Sequence, residues 1–204
     1  MNPAKPTAAG SVRVAGIVTE VLAPWVVIIL LSTAMSAKAT GFHAWHTPLW
    51  ALVVAVFSAG VPMAFIARGA RRGTYDTHHV NNREARTVVF LVCLGSTAVG
   101  MVILLLGSAP WTMVVTTVAM LTTLVVTATV TAVAKWKISM HTAVSGGGVA
   151  MLACVYGPSA LALAGLVALV GWSRVVLRDH TTGQVCAGAV AGFAASAVVF
   201  LALG

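Results

Sequence analysis

Long apolar stretches, interrupted by only three short polar islands, limit what this chain can fold into. The 204 residues are 59% hydrophobic and 8% charged, whereas a soluble domain carries about 25% charged residues. A stretch of about 20 apolar residues crosses a bilayer as a helix, because a helix satisfies its own backbone hydrogen bonds in lipid. We therefore predict an all-α integral membrane protein, with residues 1–204 forming a single domain.

Seven apolar segments have the length, or nearly the length, of a membrane span. The fifth and sixth are short, and the turn signal Gly157-Pro158 separates them. The sixth and seventh could instead form one broken unit. The expected architecture is a polytopic transmembrane helical bundle with six to seven spans. The segments cover approximately residues 14–36, 48–67, 87–107, 110–134, 141–156, 159–177 and 182–203.

Each polar island combines a histidine with nearby basic or hydroxyl residues. The islands are His79–Arg86, Lys137–His141 and Ser173–Gln184. They follow the second, fourth and sixth segments, and each pair of crossings returns the chain to the same side of the membrane. Ionisable groups inside or beside a bilayer are costly and are functional candidates by default. We expect the three islands to meet in one composite site.

The distribution of basic residues predicts which way the bundle faces. On this topology, every Lys and Arg except Lys38 lies on the side of the islands. An excess of Lys and Arg marks the cytoplasmic loops of membrane proteins. We therefore expect a multi-pass protein of the cell membrane whose site faces the cytoplasm.

The residue types in the islands suggest phosphate chemistry without a metal. Phosphate needs several cationic donors, which Arg86, Arg174 and Lys137 supply. A nucleophile and a general acid are also needed, and His141 and His180 suit these roles near neutral pH. The few acidic residues show no DxxxD spacing for magnesium, and the cysteines show no CxxC spacing. No metal, cofactor or nucleic-acid partner is expected.

The third island carries the most specific motif. Ser173-Arg174, five intervening residues, His180, three further residues and Gln184 follow one another in that order. This pattern resembles the Ser-Arg-x5-His-x3-Asp signature of the type-2 phosphatidic acid phosphatase superfamily. The members of that superfamily are membrane lipid phosphatases. Gln184 stands where that family has Asp.

The other two islands resemble the remaining parts of the same signature. Ser139 and His141 are kept from Pro-Ser-Gly-His, with Met140 in the glycine position. Arg86 is kept from Lys-x6-Arg-Pro, with His79 in the lysine position. The resemblance extends from about residue 79 to residue 184, in the order and the bundle context of the family.

This resemblance implies a mechanism with a phosphohistidine intermediate. His180 would attack phosphorus, and His141 would protonate the departing alkoxide. Gln184 would accept a hydrogen bond from the second ring nitrogen of His180, as the Asp of the family does. The phosphoryl oxygens would be bound by Arg86, Arg174, Ser139, His79 and Lys137.

Two functions from different classes follow from these observations. The first is a phosphatase that hydrolyses a polyprenyl- or phosphatidate-type lipid phosphate or pyrophosphate, with the bilayer as its environment. The second is a catalytically weak relative that binds anionic lipid headgroups or supports a membrane assembly. Gln184, Met140 and His79 favour the second, because each departs from the family signature. A magnesium-dependent prenyltransferase is disfavoured by the scarcity of acidic residues.

Overall fold

The computed structural model describes residues 7–73 and 83–204 of the chain. All regular elements within these ranges are helical, so the predicted all-α class is confirmed. The α-helices are α1 (Thr7–Val21), α2 (Pro24–Ala39), α3 (His46–Ala55), α4 (Val61–Arg71), α5 (Arg83–Leu106), α6 (Trp111–Val133), α7 (Met140–Tyr156), α8 (Ala164–Val176) and α9 (Thr182–Leu203). A π-helical segment, Val56–Gly60, joins α3 to α4, and a 3₁₀ segment, Pro158–Leu163, leads into α8.

In the described part of the chain, five helical stretches are long and apolar enough to cross a membrane. The pair α1 and α2 adds a sixth if the two count as one span, and α7 is a shorter apolar helix of 17 residues. The protein is therefore a multi-pass membrane bundle. The sixth and seventh predicted segments are two separate helical stretches, each long and apolar enough to cross a membrane, and they are not a bent pair. The five stretches are His46–Arg71, Thr87–Leu106, Trp111–Val133, Pro158–Val176 and Thr182–Leu203.

The first predicted segment, residues 14–36, is bent and not continuous. Helices α1 and α2 are bent by 44° at a short break between them. Ala23 is extended, with ψ of 150°, and Pro24 begins α2. Proline disfavours a helical backbone in the residue before it and has no N–H to continue the ladder of hydrogen bonds. The break therefore follows from Pro24.

Contacts between helix ends show which ends lie together. Trp111 Nε1 donates to the carbonyl of Leu203 at 2.7 Å, and the Tyr156 hydroxyl donates to the carbonyl of Ala34 at 2.6 Å. We call this the distal end of the bundle. At the other end, which we call the island end, the Ser139 N–H donates to the carbonyl of Gln184 at 3.1 Å. The second and third islands therefore share one end.

Close packing of α7 against α9 fixes the geometry of the island end. A Cβ atom at Gly188 would overlap the carbonyl of Ser139, and one at Gly192 would overlap the carbonyl of Ala143. Small residues at such positions let two membrane helices approach backbone to backbone. The Thr142 hydroxyl bridges the same interface, donating to the carbonyl of Val185 at 2.8 Å. The start of α7 is thereby held against the start of α9.

The π-helical segment between α3 and α4 has a local cause. In a π-helix the N–H of a residue bonds the carbonyl five residues earlier, and Val61 does so to Val56. The next donor would be Pro62, which has no N–H, so the carbonyl of Phe57 loses its helical partner. The hydroxyl of Ser96 on α5 donates to that carbonyl instead. A polar contact in the membrane therefore ties this segment to α5.

Candidate functional site

A cavity of about 200 Å³ lies between the helices and extends from the island end into the apolar interior. His141, Arg174 and His180 line it together. The predicted convergence of the second and third islands is confirmed for these three residues. The other walls are almost entirely apolar and come from several helices; they include Ile28, Pro62, Phe90, Met120 and Met151.

Arg174 is the largest polar group of the cavity and is almost fully buried, with 2% of its surface exposed. Its Nη2 atom lies 2.9 Å from Oδ2 of Asp179. Among the described residues, its Nε and Nη1 atoms have no hydrogen-bond partner. A buried guanidinium with unsatisfied N–H donors is costly. An anion in the cavity would satisfy those donors.

A tight turn after α8 brings Asp179 back to Arg174. The N–H of Arg178 donates to the carbonyl of Val175 at 3.0 Å, and the N–H of Asp179 donates to the carbonyl of Arg174 at 3.1 Å. This pair of bonds is the Schellman motif that ends many helices. Its left-handed position usually holds glycine, but here it holds Arg178, with φ of 59°. Asp179 and His180 therefore fold back over the end of α8.

His180 is positioned by two oxygen acceptors. Its Nδ1 atom lies 3.3 Å from the amide oxygen of Gln184 and 3.3 Å from the carbonyl of Lys137. The prediction that the Gln184 amide oxygen lies near a ring nitrogen of His180 is confirmed. Because both partners are oxygens, Nδ1 carries the proton when the ring is neutral, and the lone pair is on Nε2.

The same amide oxygen of Gln184 also caps α9. It accepts from the N–H of Thr181 at 3.1 Å, while the Thr181 hydroxyl accepts from the N–H of Gln184. This reciprocal pair is a capping box, whose signature is Ser or Thr followed three residues later by Glu or Gln. The capping signal was present in the sequence, and it explains how the side chain of Gln184 is fixed.

The second island starts α7 and positions His141. Ser139 is the N-cap residue, and its hydroxyl accepts from the N–H of Thr142 at 3.5 Å. His141 follows in the first turn, where the helix dipole favours an anion nearby. Ser139 is fully buried and is not among the residues that line the cavity. The structure therefore brings His141 to the cavity and places the Ser139 hydroxyl at the cap of α7.

The remaining predicted residues are placed as follows. Lys137 contributes its carbonyl to His180, and its side chain does not line the cavity. His79 lies outside the described residues, as does the side chain of Arg86, whose backbone is in the first turn of α5. Ser173, predicted as part of the motif, bonds the hydroxyl of Thr19 on α1 at 3.0 Å. Within residues 10–73 and 87–204, no three His, Cys, Asp or Glu side chains group around a possible metal position.

One wall residue of the cavity is also part of the outer surface of the bundle. Trp25 on α2 lines the cavity, yet 39% of its surface is exposed.

Comparisons with protein-family models, with curated proteins and with solved structures found no match to this chain.

Proposed function

We propose that this protein is a membrane-embedded phosphatase that hydrolyses a lipid phosphate or pyrophosphate without a metal. One observation carries the proposal: two histidines and a buried guanidinium line the polar end of an otherwise apolar cavity, and two nitrogens of that guanidinium have no hydrogen-bond partner among the described residues. A polar end with cationic donors suits an anionic headgroup, and an apolar extension suits its hydrocarbon chain. The motifs that resemble type-2 phosphatidic acid phosphatases point to the same chemistry.

The dimensions of the cavity support a lipid ligand. Met151 lies ten residues beyond His141 on α7, which is about 15 Å at 1.5 Å per residue. This depth is close to half of the roughly 30 Å hydrocarbon core of a bilayer. A headgroup at Arg174 would therefore place its chain parallel to the chains of neighbouring lipids.

In the proposed mechanism, Nε2 of His180 attacks phosphorus and the ester P–O bond breaks on the opposite side. His141 donates a proton to the departing alkoxide. Arg174 stabilises the charge that spreads over the equatorial phosphoryl oxygens. Water then attacks the phosphohistidine, with His141 accepting a proton from it, and inorganic phosphate and free His180 are regenerated.

We further propose that the site faces the cytoplasm. Among the described basic residues, Lys38 belongs to α2 near the distal end, where its ammonium lies 5.7 Å from the ring centroid of Tyr156. Arg68 and Arg71, by contrast, are in the last turn of α4, at the opposite end of the bundle from Lys38. Such a bias favours a cytoplasmic island end under the positive-inside rule.

The deciding experiment is phosphate release from a panel of lipid phosphates by purified protein in the presence of EDTA. We expect turnover by the native protein and loss of at least about a hundredfold in His180→Ala and His141→Ala, since each removes a group that acts on the reacting atoms. Turnover that disappears with EDTA would contradict a metal-independent mechanism, and full activity in His180→Ala would exclude it as the nucleophile.

One observation favours the headgroup-binding alternative. Gln184, which orients His180, is neutral, and a neutral amide gives little stabilisation to the imidazolium that forms during catalysis. The same assays separate the two functions. Lipid phosphate binding that depends on Arg174, with no phosphate release from any member of the panel, would establish the binding protein.

A further inference from the structure

We propose that Asp179 is a positioning residue for Arg174: its carboxylate holds one nitrogen of the guanidinium, so that the other N–H donors face an anion in the cavity. This inference rests on the proposed function. The resemblance leaves position 179 unspecified, since it falls among the five unassigned residues between Arg174 and His180.

The contact geometry divides the guanidinium into two parts. One carboxylate oxygen of Asp179 lies 2.9 Å from Nη2, and the side chain of Asp179 is 23% exposed while that of Arg174 is 2% exposed. Asp179 therefore binds Arg174 from the side nearer to water. Nε and Nη1, with three N–H bonds between them, have no partner in the described structure. These are the donors left for a ligand.

Such an anchor has a physical purpose in this position. An arginine side chain has several rotatable bonds, and fixing it in one orientation costs conformational entropy. If the guanidinium is already fixed before the ligand arrives, this entropy loss does not reduce the binding affinity. The carboxylate also reduces the unfavourable free energy of burying a lone cation.

The turn after α8 brings Asp179 into contact with Arg174, although the two residues are five positions apart in the chain. Asp179 contacts Arg174 twice, through its carboxylate and through its own N–H, which donates to the Arg174 carbonyl at 3.1 Å. The next N–H, that of His180, donates to the same carbonyl at 3.3 Å. Arg178 accepts a left-handed conformation to close the turn. Asp179, which fixes Arg174, therefore directly precedes the proposed nucleophile, His180.

Three variants of the full-length protein test the proposal in a His180→Ala background, where a bound lipid phosphate is not consumed. Asp179→Ala removes both the charge and the acceptor, whereas Asp179→Asn keeps an oxygen that accepts from Nη2. Glu20→Gln is the matched charge control, because Glu20 also interacts electrostatically with Arg174. The probe is a single-chain lipid phosphate in neutral detergent micelles, and the Kd is measured for each variant.

If Asp179 positions Arg174, Asp179→Ala raises the Kd by about tenfold, a factor typical of one lost anchoring interaction. Asp179→Asn and Glu20→Gln stay within about threefold of the parent, because each preserves the orientation and removes only a partly screened charge. A Kd for Asp179→Ala equal to or lower than that of Asp179→Asn would overturn the proposal, since the carboxylate would then only compete with the ligand.

A thermal unfolding measurement separates this inference from the proposed function. If the parent His180→Ala protein binds no lipid phosphate at all, the proposed function fails. The contact between Asp179 and Arg174 is then tested by the effect of the two residues on each other's contribution to thermal stability. Asp179→Ala should then lower the Tm by several degrees when Arg174 is present and by much less in an Arg174→Met background. Equal losses in both backgrounds would show that Asp179 does not act through Arg174.

Discussion

His180 is held by two acceptors, and neither carries a full negative charge. The amide oxygen of Gln184 and the carbonyl of Lys137 each lie 3.3 Å from its Nδ1 atom. Hydrogen bonds between neutral groups contribute about 0.5–1.5 kcal/mol each. They orient the ring, but they stabilise a cationic imidazolium less than a carboxylate would. On the proposed mechanism, the two acceptors therefore orient His180 well but stabilise its positive charge only weakly.

This difference leads to a prediction for Gln184→Glu. Glutamate has the same reach to Nδ1, and it serves equally in the capping box with Thr181. Its charge-assisted bond is about twice as strong as a neutral one. We expect kcat/KM for lipid phosphate hydrolysis to rise roughly fivefold, as an added stabilisation of about 1 kcal/mol requires. Aspartate, which stands at the equivalent position of the type-2 phosphatidic acid phosphatase signature, is one methylene shorter and would lose part of the cap.

Gln184→Leu is the control for that measurement, because it keeps the volume and removes the acceptor. Its kcat/KM should fall below that of the native protein. Identical kinetics for the glutamate, leucine and native forms, in folded protein, would mean that His180 is not oriented through position 184.

At the scale of helices, the site depends on how closely α7 approaches α9. The two helices meet through Gly188 and Gly192, whose backbones lie against the carbonyls of Ser139 and Ala143. His141 stands on one of these helices, and Gln184, which orients His180, stands on the other. A change in their separation would therefore change the distance between the two proposed catalytic groups.

Gly192→Ala should consequently be severe. The added methyl group would overlap the carbonyl of Ala143, and overpacking of this kind typically costs about 1–3 kcal/mol, occasionally more. We expect a Tm several degrees lower and a large loss of activity. The control is Gly95→Ala on α5, where a Cβ would meet nothing within 4 Å. If both variants melt together with the native protein, α7 and α9 do not pack as described.

The π-helical segment shapes the deep part of the cavity. Ala59 lies in this segment, is 3% exposed and lines the cavity. Ala59→Leu would place three further carbon atoms in the space proposed for the hydrocarbon chain. We expect about a tenfold loss of kcat/KM for long-chain lipid phosphates and little change for a short-chain, water-soluble one, since the lost apolar contacts are those of the chain end.

Ala64→Leu, at an exposed position on α4, serves as the matched control for Ala59→Leu. It should leave the chain-length profile unchanged. An equal loss for short and long chains in Ala59→Leu would show that the hydrocarbon chain does not enter this part of the cavity.

At the scale of the whole molecule, the parts of the fold that were predictable are those set by composition. Hydropathy defines most of the spans, and an even number of crossings between islands predicts that they share an end. The contact of Asp179 with Arg174 was not predictable, because only residues three or four positions apart face each other on a helix, and these two are five apart. The turn that brings them together has Arg178 in place of the usual glycine. Ser139 matched a motif, but its hydroxyl caps α7.

The orientation of the molecule gives a further prediction. In a cysteine-free background, Ala134→Cys lies just after α6 at the island end, and Ala44→Cys lies in the loop before α3; both positions are exposed. An impermeant thiol reagent applied to intact cells should label Ala44→Cys and leave Ala134→Cys unlabelled, because basic residues favour the cytoplasmic side. The reverse pattern would place the site outside the cytoplasm.

Trp25 belongs both to the wall of the cavity and to the exposed surface of α2. On the proposed function, a substrate arriving along this wall would travel by lateral diffusion and would never enter bulk water. Its effective concentration is then a mole fraction within the membrane plane. Adding inert lipid to a fixed amount of substrate would slow turnover, even though the molar concentration in the vessel stays the same.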